Sequence, residues 1–420
     1  MIPGARSAQL TAQLVAVECP AFASRRAQRD GADDGDNAPI VLASASGSEL
    51  VDVDGERYVD LVAGFGAVSL GHGHPGWTAA VRRQLDSMVQ GLGDVYASDT
   101  KIALLSELSA LHPTAGAQVL LGQSGADAVT AAIKTATLAT GRAAIVAFDG
   151  GYHGLSYAPL AACGFRSSFR EPFAQQLSAE VSFAPYPGVR GAGVGASLDS
   201  VRSLLRAHKP AAVLLEPIVG RGGCVVPPAG FLAEVAELAR RYGALIIADE
   251  IWVGLGRAGA MVCSAAEIEA DIICFGKGLG GGMPISACVA TAEVMSGWAR
   301  GGEVVHTSTH AGAPLACAAA LATLAIIQGE SLASRAEQLG ARVLAAWQET
   351  LGGHDAIRDV RGRGLMLGIE LADATVAQRT IRGLLRRGYV VISGGIAGDT
   401  LTITPALTVP EDALLDFPAA

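Results

Sequence analysis

Lys277 is set apart by both its residue type and its place. The chain holds four lysines, Lys101, Lys134, Lys209 and Lys277, while arginine supplies nearly all the remaining positive charge. Lys277 follows the apolar run Ile272-Ile-Cys-Phe-Gly276 and enters Gly278-Leu-Gly-Gly-Gly282, so it reads as the end of a buried strand meeting a glycine-rich turn. A buried amine can lose its proton and attack a carbonyl carbon, which a guanidinium cannot do; a lysine that merely caps a strand is the plainer alternative. Upstream, Ala244-Leu-Ile-Ile-Ala-Asp249-Glu250 is a second apolar run ending in acids. A carboxylate there can hold a proton on a pyridine nitrogen, making the ring a sink for electrons released at a substrate carbon. It could equally hold a metal or cap a helix, so the weight of Asp249 comes from its pairing with Lys277.

Two further segments add binding chemistry. Leu121-Gly-Gln-Ser-Gly-Ala-Asp127 lies between a strand-like run and a helical pattern starting near Asp127. Free backbone N–H groups at a helix start, with glycine allowing close approach, make a phosphate seat; an ordinary turn capped by Ser124 is the alternative. In Phe148-Asp-Gly-Gly-Tyr152-His-Gly154 an aromatic ring sits in a glycine-rich loop after a strand. Tyr152 can stack on a flat heteroaromatic ring, or simply pack.

These segments need a scaffold that brings strand ends together. Leu50 to Tyr58 alternates apolar and polar residues around Asp54-Gly55, a hairpin signal. Strand-like runs then alternate with helical patterns: AQVLLG and DAVTAAIKTATLAT, SVRSLLRAH and AAVLLEP, FLAEVAELARRYG and ALIIADE, then DIICFGK. Such alternation predicts an α/β fold with a mostly parallel sheet wrapped by helices and its ligand groups at the carboxyl ends of the strands. After His310 the pattern becomes two long helices, Pro314 to Ile327 and Ser331 to Thr350, followed by strands. The expected division is an N-terminal segment of a smaller domain over 1–55, a large domain over 56–314 and a C-terminal small domain over 315–420.

At 420 residues the chain is long enough for two domains. Half its residues are hydrophobic, 17% are charged and 53 are glycine, a composition of globular α/β enzymes with many tight turns. Disorder is expected only near Asp30 to Asp36. A formal net charge of −9 without a Lys/Arg run argues against nucleic acid and for small-molecule partners. Seven scattered cysteines lack disulfide or metal-knuckle spacing, so no metal is expected and the thiols read as reduced, mostly buried groups of a cytoplasmic protein. No stretch reaches the roughly 20 apolar residues of a membrane span, and the first twenty residues lack a signal-peptide core.

Together and in order, these segments resemble the class III (ω-) aminotransferases, pyridoxal-phosphate (PLP) enzymes of fold type I, from about Gly47 to Val409. The resemblance implies a fold type I PLP-transferase with a smaller α+β domain built from both termini. It implies that Lys277 carries PLP as a Schiff base and that Asp249 pairs with the pyridine nitrogen. Ile251 and Tyr152 would pack on the two ring faces, and Ser124, Gly125 and Ala126 would bind the phosphate. The segment His306-Thr-Ser-Thr309-His-Ala-Gly-Ala-Pro314 resembles the stretch through which a neighbouring subunit adds a threonine, here Thr309, to that phosphate. A homodimer or higher assembly with shared sites follows.

The departures bear on substrate. Trp252 stands where many relatives have a glutamine, and its indole N–H can still donate. Arg221, in Val219-Gly-Arg-Gly-Gly223, stands where the ornithine and 4-aminobutyrate branch has a glutamate. Thr402 stands where that branch has a carboxylate-binding arginine. Arg221 is therefore the candidate cation for an acidic substrate, with Trp252 beside it. The expected reaction is transamination between an amine donor, an ω-amino acid or diamine, and an oxo acid, 2-oxoglutarate or pyruvate. A PLP-dependent aminomutase, racemase or decarboxylase is the alternative, and a non-catalytic PLP-binding protein a remote one.

Overall fold

Apolar runs without polar alternation form strands only where both faces are covered, and four such runs make the middle of this fold. The computed structural model describes residues 2–30 and 39–420; apart from Asp30, the acidic stretch for which disorder is expected lies outside the described residues. The central sheet has seven strands: β4 (Gln118–Gly122), β5 (Ile145–Phe148), β6 (Val181–Ala184), β7 (Ala212–Leu215), β8 (Leu245–Asp249), β9 (Ile272–Phe275) and β10 (Ser286–Ala290). Their spatial order is β4-β10-β9-β8-β7-β5-β6. The pairs β6/β5, β5/β7, β7/β8 and β8/β9 are parallel, and β10 runs antiparallel to both β9 and β4. Only β10 is reversed, so β4, β5, β6, β7, β8 and β9 all end on the same edge. Every residue of β5, β7 and β9 is buried.

Helices cover the sheet with faces suited to it. The helix Phe231–Arg241 buries Phe231, Leu232, Val235, Ala236, Leu238 and Ala239, a stripe at helical spacing, and carries Arg240 and Arg241 in its last turn, where they oppose the helix dipole. The helix Gly125–Thr140 is held at its start by a capping box between Ser124 and Asp127, and Gly141 closes it in the left-handed conformation (φ 70°). Its start lies two residues before the expected position, because Ser124 acts as the cap.

Two four-stranded sheets complete the fold. One is the hairpin β2 (Glu49–Asp52) and β3 (Arg57–Asp60), with β1 (Leu42–Ser46) on one side and β13 (Tyr389–Val390) parallel to β3 on the other. The other is antiparallel, in the order β11 (Ile357–Arg363), β12 (Met366–Leu371), β15 (Thr400–Ile403), β14 (Ile392–Gly394). Because β3 lies beyond residue 55 and a hairpin cannot be divided, we propose that the N-terminal part of the smaller unit extends to Asp60. Six of the seven cysteines are buried and all seven are free thiols. No single helix among the described residues is long and apolar enough to cross a membrane.

The long helix Leu332–Leu351 meets the β11–β12 turn at a glycine contact. A Cβ on Gly340 would stand 1.9 Å from the carbonyl oxygen of Gly364, which is backbone and cannot step aside. Gly340→Ala should therefore lower stability by about 1–3 kcal/mol through overpacking, despite the helix propensity of alanine. Gly195, in the helix Val194–His208, faces open space, and Gly195→Ala should leave stability unchanged or raise it by up to about 1 kcal/mol. Urea unfolding of both variants checks the contrast; a neutral Gly340→Ala would refute the packing.

Candidate active site

Of the six co-directional strands, β4, β5, β7, β8 and β9 each deliver one piece of chemistry to the same edge, as open parallel sheets do. Asp249 ends β8 and is 4% exposed. Its Oδ1 accepts the Ile251 N–H at 3.1 Å, and its Oδ2 lies 2.7 Å from His153 Nδ1 in the loop after β5. With a carboxylate at Nδ1, the imidazole is placed to donate from that nitrogen; its buried Nε2 has no partner. Burial opposes the charged form of His153, yet the hydrogen bond and charge of Asp249, helped by Glu216, prevail and raise its pKa.

Glu216, directly after β7, is buried and accepts the Tyr152 N–H at 2.7 Å and the Gly220 N–H at 3.1 Å. Burial raises its pKa, and His153 acts against the rise. Glu250 faces away from this cluster: its carboxylate accepts the N–H groups of Cys263 (3.0 Å) and Ser264 (2.6 Å).

Lys277 begins the turn after β9 with a left-handed backbone, φ 38°, rare for a residue with a side chain. Its ammonium lies 4.2 Å from the centre of the Trp252 ring. Burial strips water from the ammonium and pulls its pKa down to about 8, while Asp249 and Glu216 pull upward and Arg221 adds to the depression. A buried indole usually finds an acceptor, but the Trp252 N–H has none. The ring is wedged between glycines: a Cβ on Gly66 would meet its Nε1 at 2.6 Å and one on Gly220 its Cε3 at 2.8 Å.

The turn after β4 and the loop after β5 close on this group. A Cβ on Gly125 would meet Ile251 at 2.9 Å, and one on Gly154 would meet Ala126 at 2.8 Å. The first-turn N–H groups of Gly125 and Ala126 have no intrahelical acceptor, whereas Ser124 spends its hydroxyl on the Asp127 N–H. Tyr152 meets Phe165 edge-on, with ring centres 6.3 Å apart, and the Arg221 guanidinium lies 5.0 Å from the Tyr152 ring centre and 5.1 Å from that of Phe165.

The structure thus gathers Ser124, Gly125, Ala126, Tyr152, Asp249, Ile251, Trp252 and Lys277 at one edge, with Arg221 at its rim. Thr309 sits on a separate segment: the Gln90 amide donates to its carbonyl at 2.6 Å, and Gln123, just before the Ser124 turn, donates to Ser308 Oγ at 2.7 Å. Thr402 is fully buried in β15 and away from solvent. Neither His153 nor Glu216 is singled out by the sequence alone. The sequence shows His153 in a glycine-rich loop after a strand, but nothing local names its partner, which lies 96 positions away.

The Aminotransferase class-III family model matches residues 31–417. Acetylornithine aminotransferase of Mycobacterium tuberculosis (strain ATCC 25618 / H37Rv) is 40% identical over 91% of this chain and 90% of its own length. Its counterpart in Methanothermobacter thermautotrophicus is 35% identical over 90% and 91%. Ornithine aminotransferase from Toxoplasma gondii ME49 superposes with a TM-score of 0.83 at 27% identity, covering 95% of this chain and 92% of that one. A PLP-bound amine transaminase from an uncultivated Pseudomonas species gives 0.85 at 28%, covering 93% and 95%. The chain therefore belongs to the class III aminotransferases, PLP-dependent enzymes of fold type I.

Proposed function

We propose that this aminotransferase moves the terminal amino group of an ω-amino acid or diamine to an oxo acid, 2-oxoglutarate or pyruvate. The observation that carries the reading is the buried Asp249–His153 pair beside an amine of lowered pKa, in a chain 40% identical to an enzyme named for acetylornithine. Ornithine bears a terminal amine, which supports a donor of that kind. The exchange at Arg221 and the burial of Thr402 argue that the acidic end of the substrate is held differently from that of the ornithine branch. Product analysis with and without an oxo acid tests the reaction class, since only transamination requires the acceptor; turnover without one would overturn the reading.

The residues fit PLP. Unpartnered buried groups (His153 Nε2, Trp252 Nε1) and a glycine-lined helix start that excludes a Cβ describe a site built around something polar and flat. Once bound, PLP supplies a carbonyl that takes up the amino group and a ring that receives electrons from the donor carbon. In this reading Asp249 holds the ring-nitrogen proton, and His153 positions Asp249. Gly125 and Ala126 give their N–H groups to the phosphate beside Ser124. Ile251 and Tyr152 flank the ring, and Trp252 closes the substrate side. Lys277 Nζ anchors the cofactor and carries the proton to and from the donor carbon.

Shared sites in a homodimer are part of the proposal. Leu92 (64%), Val95 (66%), Tyr96 (74%) and Val304 (71%) are exposed on the two segments that Gln90 ties together at Thr309, and apolar exposure of this kind supports an interface there. A second copy of the chain there would bring Thr309 towards its partner's phosphate turn.

Only the neutral amine can bond to the cofactor carbonyl. In cofactor-free protein the rate of PLP uptake should therefore rise with pH through about 8, where Lys277 loses its proton, and level off above it, not near its ordinary 10.5. Asp249→Asn should shift that midpoint downward, because the Asp249 charge raises the lysine pKa. Stopped-flow absorbance measures both, and borohydride should then fix the cofactor on the Lys277 peptide. Labelling at Lys101, Lys134 or Lys209 would contradict the assignment.

Asp249→Asn should also cut turnover by about a hundredfold or more while the holoenzyme remains folded, because an amide cannot hold the ring-nitrogen proton. Steady-state kinetics at saturating substrate decides, and an unchanged kcat would remove Asp249 from this role.

Thr309→Ala should weaken PLP retention by about 1.5–3 kcal/mol, one hydrogen bond to a charged group. Mixing Lys277→Ala subunits with Thr309→Ala subunits tests the sharing, since a dimer with shared sites regains one complete site and its tight PLP. Without such recovery the sites belong to single chains.

A further inference from the structure

Three arginines from distant parts of the chain line one cavity of about 260 Å³: Arg25 in the N-terminal helix Pro20–Asp30, Arg166 in the loop before the short helix Ser167–Arg170, and Arg221 after β7. Arg166 donates from Nε to the Ile396 carbonyl at 2.8 Å, which turns its two terminal nitrogens away from that bond. Arg221 is clamped between the Tyr152 and Phe165 rings, and its buried Nε has no partner. Among the described residues, none of the three has a carboxylate within 4 Å. Asp399 is the one acid whose field reaches Arg166, and burial together with Arg25 and Arg166 depresses the pKa of Arg221.

Guanidinium groups gathered in a half-enclosed space repel one another, and burying Arg221 without a counter-ion is costly. A chain that keeps such a cluster gains only if an anion arrives, and planar forks match the two-oxygen edge of a carboxylate. Arg221 stacks on Tyr152, whose N–H is bound to Glu216 in the cluster that surrounds Lys277. Arg221 is thus common to the rim of the reacting centre and to the lining of the cavity, whose other walls include Arg25, Phe65, Phe165 and Arg166.

We propose that this cavity receives the carboxylate farthest from the reacting carbon, and that Arg221, Arg166 and Arg25 together select dicarboxylic oxo acids over monocarboxylic ones. The inference rests on the transaminase reading and narrows its acceptor to the 2-oxoglutarate class. It also gives the N-terminal helix a role in specificity, through a residue that lies far outside the central sheet.

Two measurements on the holoenzyme test it. In the first, kcat/KM is determined for 2-oxoglutarate and for pyruvate with one amine donor. The ratio should favour 2-oxoglutarate by at least about a hundredfold, the worth of a buried bidentate pair. Arg221→Gln should erase most of it, and Arg166→Gln and Arg25→Gln should each reduce it by about tenfold. Because Arg221 also influences Lys277, the ratio is the proper readout: a change at the amine affects both acceptors alike and cancels. In the second, glutarate, butyrate and inorganic phosphate are titrated by calorimetry. Glutarate should bind at least tenfold more tightly than butyrate, and the three substitutions should remove that preference while PLP absorbance and the melting midpoint hold. Equal loss for both acceptors, a glutarate affinity indifferent to the substitutions, or a preference for phosphate would each overturn the proposal. If the holoenzyme consumes no oxo acid with any amine, the transaminase reading fails, whereas the glutarate titration still reports on the cavity.

Discussion

Asp249 and His153 are both nearly sealed from solvent, and a buried carboxylate costs several kcal/mol unless it is paired and hydrogen-bonded. The 2.7 Å contact to His153 Nδ1 and the Ile251 N–H together offset that cost. The pair dictates much of what surrounds it. His153 reaches Asp249 from the glycine-rich loop after β5, on the far side of β7 from β8 in the strand order. Glu216 then lies close enough to add its field to that imidazole, and its own oxygens are tied to the Tyr152 and Gly220 N–H groups. The acid beside Asp249 is turned the other way, with Glu250 bonded to the Cys263 and Ser264 N–H groups. A strand end that reads as a possible metal site is thereby split into one carboxylate for the site and one for the scaffold.

The sheet turns this local arrangement into a site. Parallel strands place their carboxyl ends together, and the buried β5, β7 and β9 fix that edge because a slip in register would unseat side chains close-packed on both faces of the sheet. Convergence of five strand ends leaves little room, and the glycines mark where room ran out. Gly125 and Gly276 both abut Ile251, and Gly154 abuts Ala126. Lys277 shows the same pressure in another form, since its left-handed backbone directs the amine over Trp252 instead of along the strand.

Much of this was legible in the sequence, for physical reasons. Lys277 and Asp249 end apolar runs too continuous to be anything but covered strands, and the Ser124 turn announces its helix by its own capping chemistry. Less could be read where function depends on side chains meeting across the fold. His153 is separated from Asp249 by 96 positions, and no local pattern encodes their contact. The hairpin was visible from Asp54-Gly55, but its parallel pairing with Tyr389–Val390 was not, because nothing in a two-residue strand specifies its neighbour. Arg25 and Arg166 gave no signal at all, since a single arginine on a helix or in a loop looks like any solvated charge.

The two sides of the site carry opposite fields, and Lys277 lies between them. Asp249 and Glu216 favour its charged form, while burial and Arg221 favour the neutral amine. A positive group at the rim therefore does two things at once: it offers a counter-charge to an acid and helps keep the reactive lysine unprotonated near neutral pH. A glutamate at residue 221 would reverse both effects, repelling an acid and raising the lysine pKa. If the proposed roles hold, the arginine at 221 couples the choice of substrate to the readiness of Lys277, and a chain that lost it would have to recover both from some other cation. Thr402, sealed in β15 with its hydroxyl unpartnered, could not supply one.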